Sequence, residues 1–549
     1  MSQPVTGIPD YSSALDTTFK SPATDVKPVA PRVAEVAIPA VPASKAPTFD
    51  KIAATSEQAV GEPVAYLSQP RLSQFSLVGV TWDVGTQQDD EITVLVRSFD
   101  SAGWSDWTEL DIDSDEGPSA QEEAIVQMGT QPAWVGNSSG VEVAVFARDG
   151  VSPRNLQLST IDPGVSAYDA QLVESKNAYE SEAEALRGPG PLAGTFPGMP
   201  VVVSRQEWGA DDSLRDKCWD PRFGKTFKLV FVHHTAGSND YEESESAAVV
   251  RGIYSYYVVS RGWCDIGYNF LVDRYGNVFE GRSGGTRMPV RGAHSGDYNV
   301  DTTGISMMGN FDQEQPRRPM KHALVQLIAW RLGAAYHGAY GRVIINGDRF
   351  ARISGHRDAM STSCPGQYAY DWLPTLRQRV HTRLGNYVSM IEETWRAAGG
   401  KDSALGVVKV GEQGENGGRH TTFTEGRMYN SRAGIFKLYR GPILSRYKRA
   451  DETDGALGYP RSPAFAAGQR TGLAAQFQGG RIYWSEATAS RMLFRSPVLS
   501  RYLVEEGPRG ALGFPTSAIV KTKNGHHATF QHGRIAYHRT TKETSVRLS

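Results

Sequence analysis

Residues 401–549 repeat themselves, and that limits what they can build. QFQGGRIYWS around Phe477 echoes FTEGRMYNS around Phe423 and TFQHGRIAYH around Phe530, at spacings of 54 and 53 residues. GPILSRY ending at Tyr447 returns as SPVLSRY ending at Tyr502, and GALGYP at 455–460 returns as GALGFP at 510–515, both after 55 residues. SALGVV at 403–408 is a weaker copy. Landmarks recurring together at one period mean similar units, each too small to bury its apolar face alone and therefore stacked on its neighbour. Glycine turns between short alternating runs predict a small β-rich module for each unit.

The chain has 549 residues, and at roughly 150 residues per domain it divides into three or four domains. Residues 1–64 repeat Pro, Ala and Val without strand or helix period, and are expected as a disordered linker. No signal peptide is visible there. Over 65–165 the pattern is β: Ile92, Val94 and Val96 alternate with Thr93, Leu95 and Arg97, and Val141, Val143 and Val145 repeat the device. Turn-rich stretches separate the runs, which predicts an antiparallel β-sandwich. Trp82, Trp104 and Trp107 are expected in its core rather than as sugar platforms. Residues 166–198 read as a polar linker.

Residues 199–385 mix the two periods. KLVFVHH predicts a buried strand and NFLVDRYGNVFEGR a hairpin turning at Tyr275-Gly276-Asn277. TTGISMMGNF is another strand. Helices are expected over YEESESAAVVRGIYSYYVVSRG, MKHALVQLIAWRLGAAYHG and YDWLPTLRQRVHTRL. The alternation predicts a layered α/β domain. A connector over 386–402 then leads to the repeats at 403–549.

Net charge is −2 but unevenly spread: −17 over 1–200, +3 over 201–400 and +12 over 401–549. The basic end suits an anionic polymer. Its Lys and Arg are scattered and no base-reading motif accompanies them, so nucleic acid is not an expected partner. No run of eighteen apolar residues occurs, so no membrane span is expected. Three cysteines are too few for a disulfide-built scaffold.

The chemistry-bearing residues lie in the α/β domain. His233 and His234 close the first strand, His356 opens GHRDAMSTSCPG, and Cys364 follows eight residues later. Imidazole and thiolate are zinc ligands, and three protein ligands with one open position make a catalytic site. Alternation puts His233 on the face of Phe231 and His234 on that of Val232, and does not choose between them.

FVHHTAG, GWCDIGYNFLVDRYGNVFEGR, GAHSGDYN, TTGISMMGNF and GHRDAMSTSCPG stand in the order found in the peptidoglycan recognition protein family, related to the type 2 N-acetylmuramoyl-L-alanine amidases. The chain resembles that family over about 199–385. Its flanks resemble those of actinobacterial cell-wall amidases with LGFP repeats. The resemblance implies a multidomain protein: an N-terminal β-sandwich, a central α/β amidase domain with a mixed β-sheet flanked by helices, and C-terminal β-rich LGFP repeats that hold the protein in the wall.

It also implies a Zn2+ cofactor bound by His233, His356 and Cys364, with Tyr268 and Thr362 as the catalytic pair. Tyr268 matches the family's catalytic tyrosine, placed to hydrogen-bond the oxyanion. Family members lacking the cysteine bind peptidoglycan without cutting it; this chain keeps Cys364. The implied activity is zinc-dependent hydrolysis of the bond between the muramic lactyl group and L-Ala, at the cell wall or outside the cell. The alternative is a non-catalytic wall-binding protein. His234, His294, Asn299 and Arg282 are expected along the substrate groove. Actinobacterial relatives carry both Cys218 and Cys264, which implies a disulfide between them and an oxidising compartment.

Overall fold

The computed structural model describes residues 26–41, 62–84, 92–112, 117–118, 127–172, 197–215, 218, 220–385, 388–468 and 472–549. The contacts divide the described residues into two units, one within 26–385 and the other over 388–549.

The first unit opens with a β-sandwich. One antiparallel sheet runs in the order Arg32–Ala37, Gln157–Asp162, Phe75–Asp83, Gln127–Gly129, with Ala133–Ser138 also on Phe75–Asp83. The other runs Ala65–Gln69, Gly140–Ala147, Ile92–Asp100, Gly103–Trp104, with Thr108–Leu110 also on Ile92–Asp100. Val78, Val80 and Trp82 face Val94, Val96, Val141, Val143 and Val145 between them.

The expected boundaries shift at both ends. Arg32–Ala37 belongs to the sandwich rather than to a linker over 1–64, pairing along its length with Gln157–Asp162. It lies at a sheet edge, largely exposed, so it needs no apolar alternation and announces itself poorly. At the other end Ser166–Leu172 is packed rather than linking. Asp169 takes both arms of the buried Arg251 guanidinium at 2.9 and 2.7 Å, and Leu172 joins the core. Residues 173–196, the rest of that expected linker, lie outside the described residues, as does most of 1–64. Trp82 is in the core as expected, but Trp104 and Trp107 flank the Arg97 guanidinium, each 4.9 Å away.

The α/β domain carries a five-stranded mixed sheet in the order Val278–Glu280, Phe270–Val272, Thr302–Met307, Leu229–His234, Ile353–Gly355. Only the Phe270–Val272/Val278–Glu280 hairpin is antiparallel. Helices Arg318–Ala334 and Gln367–Leu384 cover one face, where Val230, Val232, Ile305 and Met307 meet Leu324, Leu327 and Leu376. Helix Ser246–Ser255 covers the other, and ends in a π turn over Tyr256–Ser260. The outer face of the sandwich packs on this helix, with Leu77 and Ile161 in one apolar cluster with Val250, Ile253 and Tyr256. Gly79 lies under the Tyr256 ring, where any Cβ would stand 2.3 Å from it. No helix among the described residues is long and apolar enough to cross a membrane.

The second unit holds three four-stranded antiparallel sheets, one per repeat, starting at Val408, Phe465 and Val520. The helix after each of the first two sheets serves the next sheet. Tyr447 of Pro442–Lys448 lies 4.5 Å from the Phe477 ring, and Tyr502 of Pro497–Val504 lies 4.4 Å from Phe530. Each hydroxyl donates to a turn carbonyl, Gly458 and Gly513. Those glycines have φ of +58° and +69°, a left-handed conformation that explains the glycine of LGYP and LGFP. The expected connector over 386–402 is the same device at the first sheet. Its helix Met390–Ala397 puts Trp395 5.8 Å from Phe423, and the indole Nε1–H donates to Gly406 O.

Candidate metal centre

The site is assembled where three neighbouring elements of the sheet end. Leu229–His234 carries His233, the turn after Ile353–Gly355 carries His356, and the loop before Gln367–Leu384 carries Cys364. Their donor atoms all lie within 4.8 Å of one another, and all three residues are buried. Alternation, silent in the sequence, resolves the pair. His233 follows Leu229 and Phe231 to the face that meets His294, whereas His234 turns to the opposite face.

His233 Nδ1 stands 3.7 Å from Cys364 Sγ, and its Nε2 stands 3.2 Å from His294 Nδ1. Two ligands about 2.0 and 2.3 Å from one tetrahedral ion sit roughly 3.6 Å apart, so this donor set fits zinc. Burial pushes His233 down to about 3. Burial, with repulsion from neighbouring imidazoles, puts His294 and His356 well below the ordinary histidine range. Neutral imidazole is the form that binds a metal.

Tyr268 is fully buried with its ring 5.4 Å from that of His233, and the Tyr257 hydroxyl lies 3.4 Å from its own. Thr362 is half-buried, and its hydroxyl accepts from the Cys364 N–H at 3.2 Å, so it holds the cysteine loop. The Cys364–Pro365 peptide is cis. Cys218 and Cys264 are joined as a disulfide, and Cys364 is in none.

The residues expected along a groove are placed differently. His294 is buried against His233 and beside Ser295 Oγ at 3.0 Å, a position that fixes the orientation of the His233 ring. Asn299 Oδ1 accepts from the backbone of His294 and Ser295, so it shapes their loop. His234 Nδ1 accepts from Phe311 N–H at 3.3 Å, and burial, opposed by Asp312, lowers its pKa to about 4. Arg282 alone lines an open pocket, with Arg215, Arg222 and Arg291. Asp265 lines the same pocket. Its burial works against ionisation, yet Arg205 and Arg215, at 3.0 and 3.3 Å, hold it below the ordinary carboxylate range.

The sequence reading missed Tyr257, Gln131 and Asp111. Tyr257 hydroxyl also donates to Gln131 Oε1 at 2.9 Å, and Asp111 Oδ2 lies 3.7 Å from His234 Nε2. The one available signal was the YYVVS run ending an otherwise regular helical pattern.

Compared with known proteins, the chain is 35% identical over 170 residues to peptidoglycan-recognition protein SC1a/b of Drosophila simulans, spanning 82% of that protein and 31% of this chain. It belongs to the peptidoglycan recognition protein family. Peptidoglycan recognition protein 1 of Bos taurus is similar at 38% over 170 residues, 80% of its length and 31% of this chain. Within this family member, residues 223–367 match the N-acetylmuramoyl-L-alanine amidase family, 28–168 the Rv3811 N-terminal galactose-binding domain-like family, and 457–510 the LGFP repeat. Among solved structures, Drosophila PGRP-LB is similar at 25% identity, covering 98% of that chain and 35% of this one at a TM-score of 0.27.

Proposed function

We propose that this family member is a zinc-dependent N-acetylmuramoyl-L-alanine amidase of the cell wall, cutting the amide between the muramic lactyl carbonyl and L-Ala. The observation that carries this reading is the convergence of His233, His356 and Cys364 beside the Tyr268 ring. A zinc ion held by those three residues would acidify a water and polarise the scissile carbonyl.

The chain's own residues do the rest. With Nδ1 of His233 turned to the donor set, its Nε2–H donates to His294 Nδ1, which fixes tautomer and ring plane. Thr362 holds the Cys364 backbone. The Tyr268 hydroxyl donates to the carbonyl oxygen as negative charge develops there, a contribution typically worth about a hundred- to a thousandfold in rate. Water adds to the carbonyl carbon, the C–N bond breaks, and the stem peptide leaves with a protonated L-Ala amine. Arg282 and its arginine neighbours offer forks for a stem-peptide carboxylate. The basic LGFP unit would retain the enzyme on an anionic wall polymer.

The test is a digest of diaminopimelate-type peptidoglycan by zinc-loaded protein, read by mass spectrometry. The reading expects stem peptides with free L-Ala amines and glycan left uncut, with the release of stem peptides lost on chelation and in Cys364→Ser. Retention on walls with no release by the loaded protein favours the non-catalytic alternative.

A further inference from the structure

The three candidate metal donors, with Tyr268 and His294, are shut from solvent. His233, Tyr268 and His294 have no exposed surface, His356 keeps 1% and Cys364 5%. A hydrolase of a wall polymer needs them within reach of a bulky chain.

The sandwich closes on this end of the α/β domain through backbone as well as side chains. Gly117 N–H donates to Ala293 O at 3.1 Å, and Gly117 O accepts from Asn299 Nδ2 at 2.9 Å, so one residue bridges both sides of the His294 loop. Gly117 lies on the Trp263 ring, where an added Cβ would stand 3.2 Å from it. Pro118, next in the chain, lines the arginine pocket. Gln131 receives the Tyr257 hydroxyl, which in turn meets that of Tyr268. Asp111, whose carbonyl accepts from Gln131 N–H, stands opposite His234. Behind this edge the Tyr256 hydroxyl lies 3.2 Å from Val80 O and 2.9 Å from Thr130 O. The Gly117 and Gln131 contacts sit beside His294 and Tyr268, whereas Tyr256 belongs with Leu77 and Ile161 in the packing on the helix.

We propose that the N-terminal β-sandwich is an autoinhibitory cover: with Asp111, Gly117 and Gln131 seated, a glycan-linked stem peptide has no path to His233, His356 and Cys364, and this edge must lift from the Tyr256–Tyr257 turn before the site can work. The need for lifting rests on the hydrolase reading; the covering does not.

The experiment uses the full chain and two readouts: alkylation of Cys364 by N-ethylmaleimide in metal-free protein, and turnover of a soluble muropeptide by zinc-loaded protein. Gly79→Leu wedges the sandwich off the Tyr256 ring without touching a site residue. The cover predicts alkylation at least about tenfold faster than in the wild type, since labelling follows the open population, with turnover rising alongside. Gln131→Ala combined with Tyr256→Phe adds no volume and removes the contacts at Tyr257, Val80 and Thr130. It carries the same expectation at smaller amplitude if the wedge fails to fold. Faster alkylation with no turnover in any variant supports the cover and sinks the hydrolase reading. Wild-type alkylation and turnover already at the level of the folded variants overturn the cover and leave the hydrolase reading intact.

Discussion

In the repeats, the Tyr447 and Tyr502 hydroxyls each bond a carbonyl 11 residues along the chain, at Gly458 and Gly513, and the Trp395 indole does the same at Gly406. In the unit that carries the site, the Tyr256 hydroxyl reaches carbonyls 176 and 126 residues away, and Tyr257 reaches Gln131 at a separation of 126. Both are buried aromatic polar groups that must find partners. One unit satisfies them within the next module; the other satisfies them by bringing distant segments together. Damage should therefore stay local in the first and spread across domains in the second.

The largest expected effect tests the local side. Tyr447→Ala removes a fully buried ring and should cost about 3–5 kcal/mol. Hydrogen exchange read peptide by peptide should show the loss around Pro442–Lys448 and the second sheet, with residues 229–384 unchanged. Loss of protection in both units would break the comparison. Its counterpart is Arg251→Ala, which leaves Asp169 buried without its guanidinium and should cost about 3–5 kcal/mol. Here protection should fall in both the sandwich and helix Ser246–Ser255. Loss confined to the helix would count against long-range coupling.

His294→Ala tests the orientation of His233. Loss of such an outer partner typically lowers metal affinity about 10- to 100-fold. Competition with a chromophoric chelator measures it, and unchanged affinity would return His294 to a packing role.

Asp273 sharpens the comparison through pH. Its burial outweighs the hydrogen bonds from Asn277 and raises its pKa to about 6. The folded state thus holds a proton that the unfolded state releases near 4, so the stability it lends is complete below about pH 4 and lost as pH rises through about 6. The difference is on the order of 1–3 kcal/mol. Tm of the wild type should fall more steeply than that of Asp273→Asn between pH 4 and 6.5, and parallel curves would reject the shift.

The smallest effect belongs to Gly458→Ala. At φ +58°, with Gln478 Oε1 2.5 Å from the new Cβ, it should cost about 1–2 kcal/mol, confined to one module. Urea midpoints with an unchanged m-value would report it.

This contrast also explains what the sequence disclosed. The repeats were legible because their partners recur at fixed spacing, yet the first helix escaped notice because Trp395 stands where the others carry tyrosine. His233, His356 and Cys364 were found as letters in motifs, and the choice of His233 over His234 needed the resemblance. Strand Arg32–Ala37 was missed because an edge strand can be polar, and Asp169 because its partner Arg251 is 82 residues away. His294 and Asn299 were expected to face substrate; chain proximity carried no hint that Gly117, 182 residues from Asn299, would meet that loop.

The π turn at Tyr256–Ser260 acts as a phase shifter. One extra residue in the helical ladder alters the rotation of everything after it by about 100°. Consecutive tyrosines at its start, about 100° apart as in any helix, reach different neighbours, Tyr256 the sandwich sheet and Tyr257 the Tyr268 hydroxyl. A single-residue deletion there would leave the apolar composition nearly intact while turning Trp263 and the Cys264 loop out of register. Length, at this one point, is as much part of the site as any side chain.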